Sequence, residues 1–445
     1  MTTRDATTTV PSSPGVDGTS LSARAARSIP DVDLDALVVA AHRNYSDRRP
    51  RSAAADERAR RVLPGGNTRS VLDFRPFPFR VATASGSEIV DIDGLTYVDL
   101  CGNFTAGLLG HTPGSVRDAV IESLDGGWTV GATHEREIEL AELVCERFDS
   151  IEQVRFTNSG TEANLMAIGT ALHVTGRAGV GVFDRGYHGG VLAFGNERSG
   201  PHHSLNVPHR FHVAVFDSID GLDELFAHAD LGCVLVEAVQ GSGGCRPASP
   251  EFLHELRRRC DEHGVVLILD EVMTSRLAPG GAQQRYDVRA DMTTLGKYLG
   301  GGMSFGAFGG RRDLMAAFDP SAGGSLTQAG TFNNNVVSMA AAIATLRHEL
   351  DDDRLAEVNE RGDRLRSELD VAVAGSTLPM WVTGLGSMLC VHAADDRLVD
   401  LWFHAAVDRG LFVARRGFMA LSMEVGDDHV DSLVDLTRSW AGSLG

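Results

Sequence analysis

Cysteine is sparse and shows no pairing pattern. The six residues Cys101, Cys145, Cys233, Cys245, Cys260 and Cys390 are scattered, and no two stand at C-x-x-C spacing. Neither a zinc knuckle nor a dithiol redox pair is suggested, and reduced thiols in a cytoplasmic protein are the reading that follows. No stretch reaches the ~20 apolar residues of a membrane-spanning helix, and the N-terminus has no apolar core of the signal-peptide type. Lysines are few, and the formal net charge is −19. That acidic balance argues against nucleic acid or an anionic membrane as partner, since neutralising phosphates takes clustered basic side chains. It does not argue against small anionic substrates, which two local arginines can hold inside an acidic protein. What is present in quantity is apolar: 43% of 445 residues. A real core in two or three structural units is therefore expected, which sets aside collagen-like, coiled-coil and wholly disordered chains.

Residues 1–30 are rich in Thr, Ser, Ala and Pro, with Arg4, Arg24 and Arg27 among them. A disordered extension is expected there, although a transit peptide has similar composition. Between residues 150 and 300, short apolar runs alternate with amphipathic stretches, the signature of a parallel sheet covered by helices. The pattern predicts strands at Gln153–Thr157, Gly179–Asp184, His212–Asp217, Cys233–Ala238, Val265–Asp270 and Thr293–Leu295. One helix is well punctuated. Ser249 caps it, Pro250 fits its first turn, Phe252, Leu253, Leu256 and Cys260 form one face, and Gly264 ends it. Glu88–Asp93 and Thr96–Leu100 read as a hairpin about Asp93-Gly94, and Val336–Leu350 as a long helix. The expected plan is one large α/β unit over 106–335, flanked by smaller segments at 31–105 and 336–445.

In open α/β sheets, ligands sit beyond the carboxyl ends of the strands, and five such places carry unusual residues. Asn158-Ser159-Gly160-Thr161-Glu162-Ala163-Asn164 opens a helix, whose free N–H groups suit a phosphate, although Ser and Thr are also ordinary caps. Tyr187-His188-Gly189-Gly190 offers a ring to stack on a flat ligand, or simply anchors a turn. Asp270 ends a fully apolar strand and must be partnered, by a protonated ring nitrogen or by an ordinary structural donor. Lys297 follows an apolar strand and precedes three glycines. A lysine drawn into such an interior loses its proton readily and becomes a carbonyl nucleophile; a snorkelling surface lysine is the bland alternative. Gly330-Thr331-Phe332-Asn333-Asn334-Asn335 is a polar turn ahead of a helix. Singly these are modest signals. Together they form the parts list for pyridoxal phosphate, with Asp270 preceding Lys297 by 27 positions.

On these motifs, together with Asp270-Glu271-Val272-Met273-Thr274, Leu295–Gly302 and Gly306–Arg311, the chain from about Arg61 onward resembles the class III (fold type I) pyridoxal-phosphate aminotransferases. Within them it resembles the branch containing glutamate-1-semialdehyde aminomutase. The wording of Pro64–Leu72, Met273–Pro279, Gly330–Asn335 and Arg416-Gly417-Phe418 is most similar to the β-phenylalanine or β-amino-acid transaminases. The aminomutases differ at three of these places, which puts intramolecular amino transfer second.

The resemblance implies a large domain with a mostly parallel seven-stranded sheet flanked by helices, and a smaller α+β domain drawn from both chain ends. It implies pyridoxal 5'-phosphate as cofactor, Lys297 as its covalent anchor and Asp270 as partner of its ring nitrogen. Tyr187 and Val272 would cover the two ring faces, and Ser159, Gly160 and Thr161 would hold the phosphate. His188 and Glu237 belong to the same cofactor set, and Thr331 would come from the other subunit of a homodimer with active sites at the subunit interface. Arg69 would bind the β-amino acid carboxylate and Arg416 that of the keto acid, with Arg415 a rival for the inward position. The implied reaction is a ping-pong transfer through pyridoxamine phosphate to 2-oxoglutarate or pyruvate. No metal ligands are expected.

Overall fold

A computed structural model of the chain describes residues 24, 25, 27, 32–195 and 205–444. Nearly all of the expected 1–30 extension lies outside the described residues.

Seven strands build the central sheet: β1 (Gln153–Thr157), β2 (Gly179–Phe183), β3 (Arg210–Ala214), β4 (Leu231–Val236), β5 (Val266–Asp270), β6 (Met292–Gly296) and β7 (Gly306–Gly310). Their order is β1-β7-β6-β5-β4-β2-β3. Only β7 runs against the rest, antiparallel to both β6 and β1. Strands β2, β4 and β5 are buried at every position, which is why they read as continuous apolar runs rather than alternating ones. Period 2 still sorts their side chains. Val266 and Ile268 of β5 join Ala163, Ala167 and Ile168 of the helix Gly160–Thr175, whereas Leu267 and Leu269 join Phe252, Leu253 and Leu256 of the helix Pro250–His263. Each such side chain contributes roughly 1.5–3 kcal/mol of burial. Ser249 caps the second helix by accepting from Phe252 N–H, and Gly264 closes it in the left-handed conformation, as the sequence pattern implies.

Two expected strands sit differently. The run expected at His212–Asp217 forms Arg210–Ala214, because Asp217 takes a φ of +60° and cannot continue a strand. That expected at Cys233–Ala238 forms Leu231–Val236, because the chain turns away at Glu237 and Ala238. Strand β7 carried no strand signal. Its sequence, GAFGG, is poor in strand formers, and glycine is needed there because a Cβ at Gly309 would lie 2.5 Å from Gln153 O. The expected long helix is α-helical only over Val336–Ala344 and continues as a π turn over Thr345–Glu349.

Outside the central sheet, the hairpin Glu88–Asp91 with Thr96–Asp99 forms as expected. It is extended by Leu411–Phe412 lying parallel to Thr96–Asp99, so the two ends of the chain share one sheet. A second antiparallel sheet, Met380–Leu385, Met388–Ala393 and Phe418–Ala420, packs with the helices Asp352–Ala374 and Asp396–Asp408. No helix of the described residues is long and apolar enough to cross a membrane.

Candidate active site

The carboxyl ends of β1, β2, β4, β5 and β6 deliver Ser159, Tyr187 with His188, Glu237, Asp270 and Lys297 to one edge of the sheet. Asp270 is buried there with its acceptor sites largely occupied. Its Oδ2 accepts from His188 Nδ1 and Asn164 Nδ2, both at 2.8 Å, and its Oδ1 accepts from Val272 N–H at 3.0 Å. Asn164 is itself oriented by Thr294 Oγ1, which donates to its carbonyl oxygen at 2.6 Å. The carboxylate is thus held at three points while Oδ1 keeps room for another donor.

Lys297 is the only lysine of the chain. It has a φ of +54°, in the left-handed region that a side chain occupies at a cost. Burial lowers its amine from 10.5 to about 8; the Asp270 and Glu237 carboxylates oppose the fall and the Arg69 guanidinium adds to it. Glu237, pushed up to about 7 by burial, accepts from Tyr187 N–H at 2.9 Å and from Gly241 N–H at 3.0 Å, so it fixes two loops. Glu271 beside Asp270 is also raised to about 7 by burial. It is spent on Thr274 Oγ1, Ala282 N–H and Gln283 N–H and faces away from the cleft chemistry.

The first turn of the helix Gly160–Thr175 is capped by Ser159, whose Oγ accepts from Glu162 N–H. A Cβ at Gly160 would lie 2.7 Å from both methyls of Val272, so the helix start and the Val272 side chain are in direct contact. Tyr187 keeps 42% of its surface exposed. Thr331 lies elsewhere in this chain: it is exposed and lines a surface cleft of about 450 Å³ with Trp128, Val130 and Phe332. Asn333, two residues on, accepts from Asn158 Nδ2 at 2.9 Å.

The two candidate substrate arginines converge on one ring. The guanidinium carbons of Arg69 and Arg416 each lie 5.5 Å from the centre of Phe104, which stacks on Phe418. Arg415 points elsewhere, donating to Asp400 Oδ1 at 2.9 Å; Asp400 Oδ2 meets His42 Nε2 at 3.0 Å. Of the adjacent arginines, then, Arg416 is the one that meets Phe104. Phe104 sits in a run of left-handed residues, Gly102, Asn103, Phe104 and Thr105, with φ between 44° and 79°. Asp99 Oδ1 holds that run by accepting from the N–H groups of Cys101 and Gly102. Asn164, Asn103 and Ser242 are site residues to which sequence reasoning assigned no role. Only Asn164 carries a sequence signal, a polar side chain on the buried face of a helix; Asn103 and Ser242 lie in turns, where a polar residue is unremarkable.

Comparison with known proteins gives a consistent picture. The family model described as aminotransferase class-III matches residues 73–436. A β-phenylalanine transaminase of Variovorax paradoxus is 43% identical over 427 residues, which is 93% of this chain and 97% of that protein. The crystal structure of a β-phenylalanine aminotransferase from the same organism matches with a TM-score of 0.89 at 42% identity, covering 92% of this chain and 98% of that one. A glutamate-1-semialdehyde 2,1-aminomutase of Methanothermobacter thermautotrophicus is 36% identical, over 87% of this chain and 98% of its own length. A solved transaminase with PLP bound matches with a TM-score of 0.81 at 31% identity, over 89% and 98% of the two chains.

The residues of this edge fit that cofactor. Asp270 Oδ1 has capacity for a ring N–H, the helix start at Gly160 presents unpaired N–H groups to a phosphate, and the lone lysine belongs to the same edge.

Proposed function

Because the chain belongs to the class-III aminotransferases and takes pyridoxal 5'-phosphate as cofactor, we propose that it moves the amino group of a β-amino acid, β-phenylalanine-like, to a keto acid such as 2-oxoglutarate or pyruvate. The transfer runs as two alternating half-reactions, in a cytoplasmic homodimer with active sites at the subunit interface. The observation that carries this reading is the pair of guanidinium groups, Arg69 and Arg416, on a single ring beside a single lysine.

When bound, pyridoxal 5'-phosphate supplies an aldehyde for the amine and a ring that takes up the electron pair released at the amine-bearing carbon. The protein supplies the rest. Lys297, lowered to about 8, gives up its proton far more readily than an ordinary lysine, and its amine carries the proton away from that carbon and back. Asp270, fixed by His188, Asn164 and Val272, keeps the ring nitrogen protonated from Oδ1. With the cofactor bound, Val272 and Tyr187 would cover its ring, and Ser159, Gly160 and Thr161 would hold its phosphate. A β-amino acid places its carboxylate one carbon further from the reacting centre than an α-keto acid does. One arginine does not readily serve both geometries. Arg69 takes the first and Arg416 the second, each with the fork that suits a carboxylate. Exposed Trp128, Val130 and Phe332, at 49%, 43% and 60%, beside Thr331, support a second copy covering that cleft.

The test is incubation with (S)-β-phenylalanine plus 2-oxoglutarate, and separately with glutamate-1-semialdehyde. Glutamate formed in the first mixture is the expected result. Isomerisation in the second without any acceptor replaces this reading with the intramolecular one. Borohydride fixation followed by peptide mass analysis should find the cofactor on the peptide holding Lys297.

A further inference from the structure

Arg69 and Arg416 share an unusual kind of restraint. Arg69 Nη1 donates to Asn103 Oδ1 at 2.7 Å. Arg416 Nη1 donates to Ser242 Oγ at 3.1 Å and to the Ser242 carbonyl at 3.4 Å. Neither guanidinium has a carboxylate partner among the described residues, whereas the neighbouring Arg415 is paired with Asp400. A neutral acceptor orients a guanidinium without cancelling its charge, and one tether leaves most of its five N–H groups for a ligand. The Phe104 ring adds attraction through its face and takes no N–H group at all.

The two tethers belong to separate pieces of backbone. Asn103 has a φ of 44°, which asparagine tolerates better than most residues. Its neighbour Gly102 is left-handed too, and a Cβ there would collide with Ala420 O. Ser242 lies instead on the turn after Glu237, whose Oε2 accepts from Gly241 N–H. That turn is clamped further along, where Gly244 O accepts from Thr383 Oγ1 at 2.5 Å. The Phe104 ring is what the two guanidiniums have in common; their tethers are not shared.

We propose that Asn103 and Ser242 are positioning residues dedicated one to each arginine, so that recognition of the amino donor and of the keto acid acceptor can be altered independently. The proposal rests on the carboxylate roles given to Arg69 and Arg416 above.

The experiment pairs single half-reactions with calorimetry. Asn103→Gly keeps the backbone conformation and deletes the acceptor; Asn103→Asp keeps the acceptor but neutralises Arg69. Both should raise KM for the β-amino acid about ten-fold, the scale of one hydrogen bond to a charged group, with the keto acid constant changed less than about two-fold. Ser242→Ala should do the reverse, by a smaller factor because the carbonyl contact survives, and Ser242→Thr should restore it. Binding of 3-phenylpropanoate and of glutarate to the holoenzyme, measured calorimetrically, should split the same way. Both constants rising together in each variant, or neither moving, overturns the proposal. Wild-type protein that binds both acids yet fails to transaminate sinks the proposed function alone, while wild type that binds neither acid sinks the arginine roles and this inference with them.

Discussion

Replacing Lys297 with methionine should stabilise the cofactor-free chain while abolishing its chemistry. Methionine matches lysine in length and lack of branching, so the left-handed φ of +54° is strained equally in both. What differs is the charge. The amine falls from 10.5 to about 8, chiefly because burial disfavours the ammonium, with Asp270 and Glu237 offsetting part of that. Such a fall converts to ~3.4 kcal/mol at 1.36 kcal/mol per pH unit. Lys297 keeps some solvent contact, and screening reduces the figure to about 2 kcal/mol. The sign follows from proton counting. Below pH 8 the amine is charged in both folded and unfolded chains, and the whole deficit is present. Between 8 and 10.5 the folded chain has lost its proton while the unfolded chain keeps it, so the deficit shrinks, and above 10.5 it is gone. Urea midpoints and melting temperatures of both cofactor-free proteins at pH 7 and pH 10.5 give the assay. A variant less stable at pH 7, or an advantage that persists unchanged at pH 10.5, refutes the burial argument.

Three other outcomes are expected. Gly160→Ala should weaken cofactor binding at least about ten-fold in a fluorescence titration, because the new methyl meets Val272 at 2.7 Å and must displace the side chain proposed above to cover the ring. Asp270→Asn should lower kcat by about 10²–10⁴, the range of a lost proton-holding group, and should also lower the melting temperature, since an amide oxygen that accepts from Val272 N–H leaves its NH2 facing the Asn164 and His188 donors. Asn359→Ala should cost about 3 kcal/mol in a thermal melt. Asn359 donates to the carbonyls of Arg276 and Leu355 and accepts twice from Ser387, all within the interior beneath Arg276. That arginine is wholly buried, with its guanidinium lowered to about 10 by burial.

Lys297, Asp270, Ser159 and Tyr187 are legible in the amino-acid sequence because each stands at or just beyond the end of an expected strand, among polar or small residues. Local sequence controls that contrast. Strands β2, β4 and β5 are legible because their runs are apolar on both faces. Strand β7 is not, because GAFGG is chosen for what it lacks. Its glycines admit β1 and β6 at close range, and that requirement exists only once those neighbours are in place. The shifted ends of β3 and β4 are decided in the same way, by the positive φ of Asp217 and the departure at Glu237.

Composition and local pattern by themselves determined the α/β plan of the chain and placed Ser159, Tyr187, Asp270 and its one lysine, Lys297, at strand ends. The choice between Arg415 and Arg416, the meeting of Arg69 with Arg416 on Phe104, and the Asn103 and Ser242 tethers were settled only by folding. The physical reason is distance along the chain. Phe104 and Arg416 are 312 positions apart in the sequence, and no local preference of either segment specifies a contact that only the packed sheets bring about.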